Sequence, residues 1–139
     1  MSLGRVNPPS LPPARGFSHA VVADGRTVHL AGQTALDAAG HLIQGDVVVQ
    51  FEQALGNLLR ALEAAGGRPD QLASLTIYVV DMEGYKSRRR ELGDVWRRLV
   101  GTAYPAMAAV EVSRLWDVEA LVEVQGLAVV DTEARAADG

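Results

Sequence analysis

The run Tyr104-Pro105-Ala106-Met107-Ala108-Ala109-Val110-Glu111-Val112-Ser113-Arg114-Leu115 predicts a strand over Met107 to Ser113, and Ala120 to Val130 predicts another just beyond it. Upstream, Tyr85, Arg89, Leu92, Trp96 and Leu99 recur at helical spacing, with Arg88, Arg90, Arg97 and Arg98 beside them and Gly101 as the stop. Leu72 to Val80 is rich in β-branched residues and reads as a strand buried on at least one face. Before it, Val48, Phe51, Leu55, Leu59 and Leu62 trace one apolar stripe, while Gln50, Gln53, Asn57 and Arg60 fall toward other faces. Asp46 is the natural N-cap of that helix, since its carboxylate can accept orphan backbone N–H groups. Gly66-Gly67 supplies a left-handed stop, and Pro69 blocks a restart.

Nearer the N-terminus, Leu36 to Gly45 reads as a loop. Phe17 to Val22 and Arg26 to Ala31 flank Ala23-Asp24-Gly25, a hairpin signal. Asn7 to Pro13 holds four prolines in seven positions, so residues 1–15 read as an extended arm. Residues 16–131 form one expected domain, and the polar, alanine-rich stretch 132–139 an expected frayed tail. The order is β-β-α-β-α-β-β. Its irregular alternation points away from a doubly wound sheet and toward an α+β fold, a mixed sheet with two helices on one face.

Composition narrows the function classes. With 48% hydrophobic and 22% charged residues in 139, the chain reads as one globular domain. The net charge of −4 offers no basic face, so a nucleic-acid partner is not expected. Cysteine is absent, which removes thiolate nucleophiles and Cys-ligated zinc. No apolar run is long enough for a membrane span and no leader pattern is visible, so a cytoplasmic protein without a membrane partner is expected. His19, His29 and His41 lack metal-ligand spacing, and no phosphate-binding or nucleophile-elbow motif occurs; neither metal nor cofactor is expected.

The stretch around Pro105-Ala106 closely resembles the Pro-Ala-Arg signature of the YjgF/RidA family, the imine and enamine deaminases also filed as L-PSP endoribonucleases. Further likenesses follow in family order: Gly16-Phe17-Ser18-His19-Ala20-Val21, Leu30-Ala31-Gly32-Gln33, Ala64-Ala65-Gly66, Tyr78-Val79-Val80-Asp81-Met82 and Val122-Glu123-Val124-Gln125-Gly126. The resemblance implies a chorismate-mutase-like fold, a homotrimer around a central barrel, and a small-molecule cleft between adjacent subunits.

Carried over residue by residue, the resemblance makes Phe17, Ala31, Gly32, Met107 and Glu123 the lining of that cleft. Glu123 matches the glutamate that positions or activates the attacking water. Met107 stands where the deaminases carry the arginine that grips a substrate carboxylate, and a thioether cannot form that bidentate pair. Phe17 replaces a tyrosine and Ala31 a serine, so two hydroxyls are lost. Arg89 stands in place of an asparagine bordering the cleft and could supply a positive charge. Ala106 and Ala108 frame position 107, with backbone amides near Ala108 available to polarise a substrate. Arg114 also has a match, in a structural role.

Each residue also has an ordinary reading. An apolar mid-strand residue such as Met107 commonly fills a core. Glu123 could lie on a solvated strand face, or on an interior face where burial would fit it for proton transfer. Arg88-Arg89-Arg90 could simply be a solvated helix face. His19 could project toward the cleft mouth as an acid–base group, or do nothing there.

Three functions follow from these readings. The first is a hydrolase or deaminase acting on an imine, enamine or related electrophile, with substrates less anionic or more apolar than 2-imino acids. The second is a non-catalytic metabolite-binding or regulatory module. The third, ribonuclease action, is opposed by the acidic balance and the want of an aromatic-basic stripe.

Overall fold

The computed structural model describes residues 3–132. The tail expected from 132 onward therefore lies, apart from Thr132, outside the described residues. Strands β1 (Gly4–Val6), β2 (Ala20–Val22) and β3 (Arg26–Gln33) precede helix α1 (Val47–Ala64). Then come β4 (Leu72–Val79), α2 (Met82–Ser87), α3 (Arg89–Leu99), β5 (Ala106–Glu111) and β6 (Val122–Val130).

A four-stranded sheet runs in the order β3-β6-β4-β5. It is mixed, since β4 and β5 pair in parallel while β6 is antiparallel to both β3 and β4. The expected α+β architecture is present, with the helices over one face. Phe51, Ala54, Leu55, Leu58 and Leu62 of α1 pack with Leu92, Val95 and Trp96 of α3 against Leu30, Leu75, Ile77, Val79, Val122 and Val124 of the sheet. Removing this apolar surface from water drives the fold, at about 25 cal/mol per Å².

The expected caps form. Asp46 Oδ1 accepts the N–H groups of Val48 and Val49, and Gly66 takes φ +89° just past the end of α1. The Val49 N–H bond, then the Arg88 guanidinium, hold the Asp46 carboxyl below its ordinary range. Arg88 bridges Asp46 and Glu91 at the joint where the second helical run breaks into α2 and α3.

Two expectations are corrected. The hairpin at Asp24-Gly25 does not form: β2 pairs with β1 out of the arm, and β3 pairs with β6. The eight-residue β3 finds a far longer ladder on β6 than the three-residue β2 could give it. Gln50, read as facing away from the core, is 4% exposed. Its Oε1 accepts the N–H of Leu121, which fixes the entry to β6 two residues before Glu123. A single buried hydrogen bond outweighs the local pattern there, because an unpaired amide in that place would be costly.

Candidate functional site

The alternation of β6 sends Val122 and Val124 into the core and Glu123 and Gln125 to the opposite, helix-free face. Glu123 lies beside Tyr78 of β4 in register, and Tyr78 Oη donates to Gln125 Oε1 at 3.2 Å. On the other side, three steps along β3 from Leu30 to Gln33 match only two along β6 from Gly126 to Val124. The extra residue makes a β-bulge at Ala31-Gly32, a device that locally bends a strand and re-aims what it carries. Both bulge residues are exposed. A Cβ on Gly32 would lie 3.0 Å from Glu123 Cδ and overlap Oε2. Gly32 does not have a positive φ, so it is there for space: its missing side chain is the seat of the Glu123 carboxylate.

Met107 is elsewhere. It pairs with Leu75, a core residue, and packs against the helix-side core. There it walls a cleft of about 360 Å³ formed by one face of α3 from Arg89 to Arg97, Tyr85 of α2, and Arg15-Gly16 of the N-terminal segment. Phe51 and Ile77 contribute from below, and Trp96 and Tyr104 stack with ring centroids 6.3 Å apart. Burial pushes the Tyr85 phenol on this wall up to about 12, so it stays a neutral donor. The volume suits a small ligand. The segment is docked by Ser18, whose N–H donates to the Pro105 carbonyl and whose hydroxyl donates to the Tyr104 carbonyl.

The arginine run divides. Arg88 is committed to Asp46 and Glu91, while Arg89 lines the cleft. Arg97 also lines it but is paired with Asp94. Ala106 and Ala108 share the register of Ser74 and Thr76 and so face away from Met107, on the Glu123 side. Phe17 is half-buried and turns its ring edge-on to His19, at 5.1 Å, rather than into the cleft wall. His19 Nε2 lies 2.7 Å from the Pro12 carbonyl, away from the cleft. His29 is on β3 and His41 in a loop.

The loop from β5 to β6 carries a further feature. Trp116 is 89% exposed and Val118 is 69% exposed. The loop is tethered to the end of β3 by Thr34 Oγ1, which donates to Asp117 Oδ2 at 2.8 Å, and Arg114 donates to the Leu115 and Trp116 carbonyls. Arg15, Trp96 and Trp116 were not legible as site residues from local sequence. Only Trp116 carried a signal, as a large aromatic in a polar loop.

A family model described as Endoribonuclease L-PSP matches residues 8–130. The chain belongs to the YjgF/RidA family. A RutC family protein of Pyrococcus horikoshii is 33% identical over 84% of this chain and 88% of its own length. A 2-iminobutanoate/2-iminopropanoate deaminase of Capra hircus is 32% identical over 81% and 79%. Among solved structures, the Rid-family protein YyfB of Yersinia pestis superposes with a TM-score of 0.84 at 32% identity, covering 94% of this chain and all of that one. As a family member, the chain shares its fold with these relatives. No described helix is long and apolar enough to cross a membrane.

Proposed function

We propose that the protein hydrolyses an imine, enamine or related electrophile in a cleft shared by adjacent copies of a homotrimer. The observation that carries this reading is the seat of Glu123 over Gly32 on the bulge. A carboxylate held at an exposed bulge can take a proton from water as the oxygen adds to a C=N carbon. It can return that proton to nitrogen, and then carry the new hydroxyl's proton to nitrogen as the C–N bond breaks, giving a carbonyl and ammonia or an amine. The outer edge of β5 beyond the single bridge at Ser18–Ala106 meets no other described strand, so amides near Ala108 are available to the substrate.

The division of the site supports the shared cleft. Glu123 and Gly32 lie toward the β3 edge on one face, and Met107 and Arg89 lie at the β5 edge on the other. One protomer cannot bring these halves to one substrate. Head-to-tail contact between the β3 region of one copy and the β5 region of the next would unite them, and such contacts close into a ring of three when each copy is turned by a third of a circle from the last. Exposed Trp116, tethered at the Glu123 end, gives that contact an aromatic anchor. The helix-free face itself is mixed, with Ser74, Thr76, Gln125 and Ala108 beside Tyr78, Val110 and Leu127, so the assembly rests on the divided site rather than on a broad apolar sheet.

Subunit complementation tests this. Glu123→Gln disables one half and Met107→Trp fills the other. Each variant alone should be inactive on a panel of imines that the wild type turns over. In mixed rings of three, co-expression should restore about a quarter of the wild-type sites. No recovery in verified mixed trimers would defeat the shared site. A wild type that binds ligands but turns over none of the panel would instead favour a binding module.

A further inference from the structure

The cleft beside Met107 carries two cations without counterparts. Arg15 and Arg89 line it, and neither makes a hydrogen bond or ion pair with any described residue. This contrasts with Arg88 and Arg97, whose guanidinium groups are occupied by carboxylates on their own helical run or on α1. The rest of the wall is largely apolar and aromatic: Phe51, Trp96, Tyr104 and Met107. Trp96 is 5% exposed, and its Nε1 is buried with no acceptor among the described residues.

Resting on the reading of this cleft as the substrate site, we propose that it takes an amphipathic carboxylate, gripped by Arg15 and Arg89. The apolar body would lie along Trp96 and Met107. Position 107 is the second residue of β5, whereas Arg89 opens α3 and Arg15 belongs to the segment docked across Tyr104. The anion is thus held at the rim by long, flexible side chains, and the cleft floor is left to hydrocarbon. A substrate that fits has its charged group separated from its reactive carbon by an apolar stretch. This agrees with the expectation of a more apolar substrate and differs from the alternative of a less anionic one. A guanidinium pair suits a planar carboxylate, which can accept two charge-assisted hydrogen bonds from each fork.

The test compares 4-phenylbutyrate with its neutral amide by isothermal titration on the full chain. The carboxylate should bind about ten-fold or more tightly than the amide, a gap set by charge-assisted hydrogen bonds. Added salt should narrow that gap. Arg89→Gln and Arg15→Gln should each shrink it, the double variant should erase it, and Arg89→Lys should keep part of it. Amide binding should be unchanged throughout, which reports an intact cleft. Equal binding of the two probes, no binding of the carboxylate at millimolar concentration, or a gap indifferent to the double substitution would overturn the proposal. Glu123→Gln separates the two readings. If the gap depends on both arginines but no imine is ever turned over, the anion site stands and catalysis falls. If turnover depends on Glu123 while the gap ignores the arginines, the reverse holds.

Discussion

Gly32→Ala should disable the protein without unfolding it. The new Cβ would lie 3.0 Å from Glu123 Cδ and 3.4 Å from Cγ. Carbon atoms pack best at ~3.5–4.0 Å, so the carboxyl carbon must retreat by ~0.5–1 Å. The three atoms nearest the new Cβ all belong to the Glu123 side chain, and Gly32 has no positive φ to forbid alanine. The backbone should therefore stay where it is. Stability should hold or rise by up to ~1 kcal/mol, since glycine in a strand is the weaker choice. Displacing a catalytic group by ~1 Å commonly costs ~100-fold in rate. The expected result is kcat reduced about 100-fold on the best imine of the panel, with the thermal midpoint unchanged or a few degrees higher and the affinity for 4-phenylbutyrate unchanged. Ammonia release measures the first, calorimetry the others, and a crystal structure of the variant should show Glu123 rotated off position 32. Full activity with Glu123 visibly displaced would refute its role. A large loss of stability would refute the claim that Gly32 serves the site and not the fold.

Gly126→Ala gives the opposite outcome. A Cβ there would lie 2.9 Å from the Ser74 carbonyl oxygen and from Leu75 Cδ1 in the middle of the sheet, and backbone cannot step aside. Denaturant titration should show a loss of ~1–3 kcal/mol, and an unchanged midpoint would contradict the register between β6 and β4. Asp46→Asn keeps the cap, since the amide oxygen can accept the same N–H groups, and should lower the melting temperature by up to ~3 °C at pH 7 through the lost Arg88 pair and the lost charge at the helix start. Because the folded carboxyl sits below its ordinary 3.8, its stabilisation is complete above that pH and disappears as pH falls through the lowered value. The melting gap between variant and wild type should therefore close in acid, and a gap constant down to the lowest pH would refute the linkage. Wild-type turnover of 2-iminobutanoate should be weak: a carboxylate next to the C=N lies against the Met107 thioether, a loss of ~3 kcal/mol or about 100-fold in kcat/KM. The triple change Met107→Arg, Phe17→Tyr, Ala31→Ser should raise it, and wild-type rates equal to those of arginine-bearing relatives would contradict this.

Local sequence determined the elements. The stripe through Phe51, Leu55 and Leu62, the Asp46 cap and the Gly66 stop act within a few residues of themselves, so they could be read along the chain. So could the family likeness around Pro105-Ala106 and the glutamate at 123, because they depend on residue type and order. The tertiary structure decided what lies across from what. Alternation in β5 and β6 permits either face, and only the helices, by covering one, sent Met107 inward and Glu123 outward. The three-residue β2 could pair with either neighbour, and the length of the β6 ladder took β3 away from it. Gln50 looked solvated until the backbone of Leu121 arrived to use it. Arg15 and Arg89, 74 positions apart by their numbers, share one cleft because the Ser18 anchor lays the N-terminal segment beside the strand that begins at Ala106. Pairings of that kind are settled by long-range burial and hydrogen bonding, for which a linear pattern carries no term.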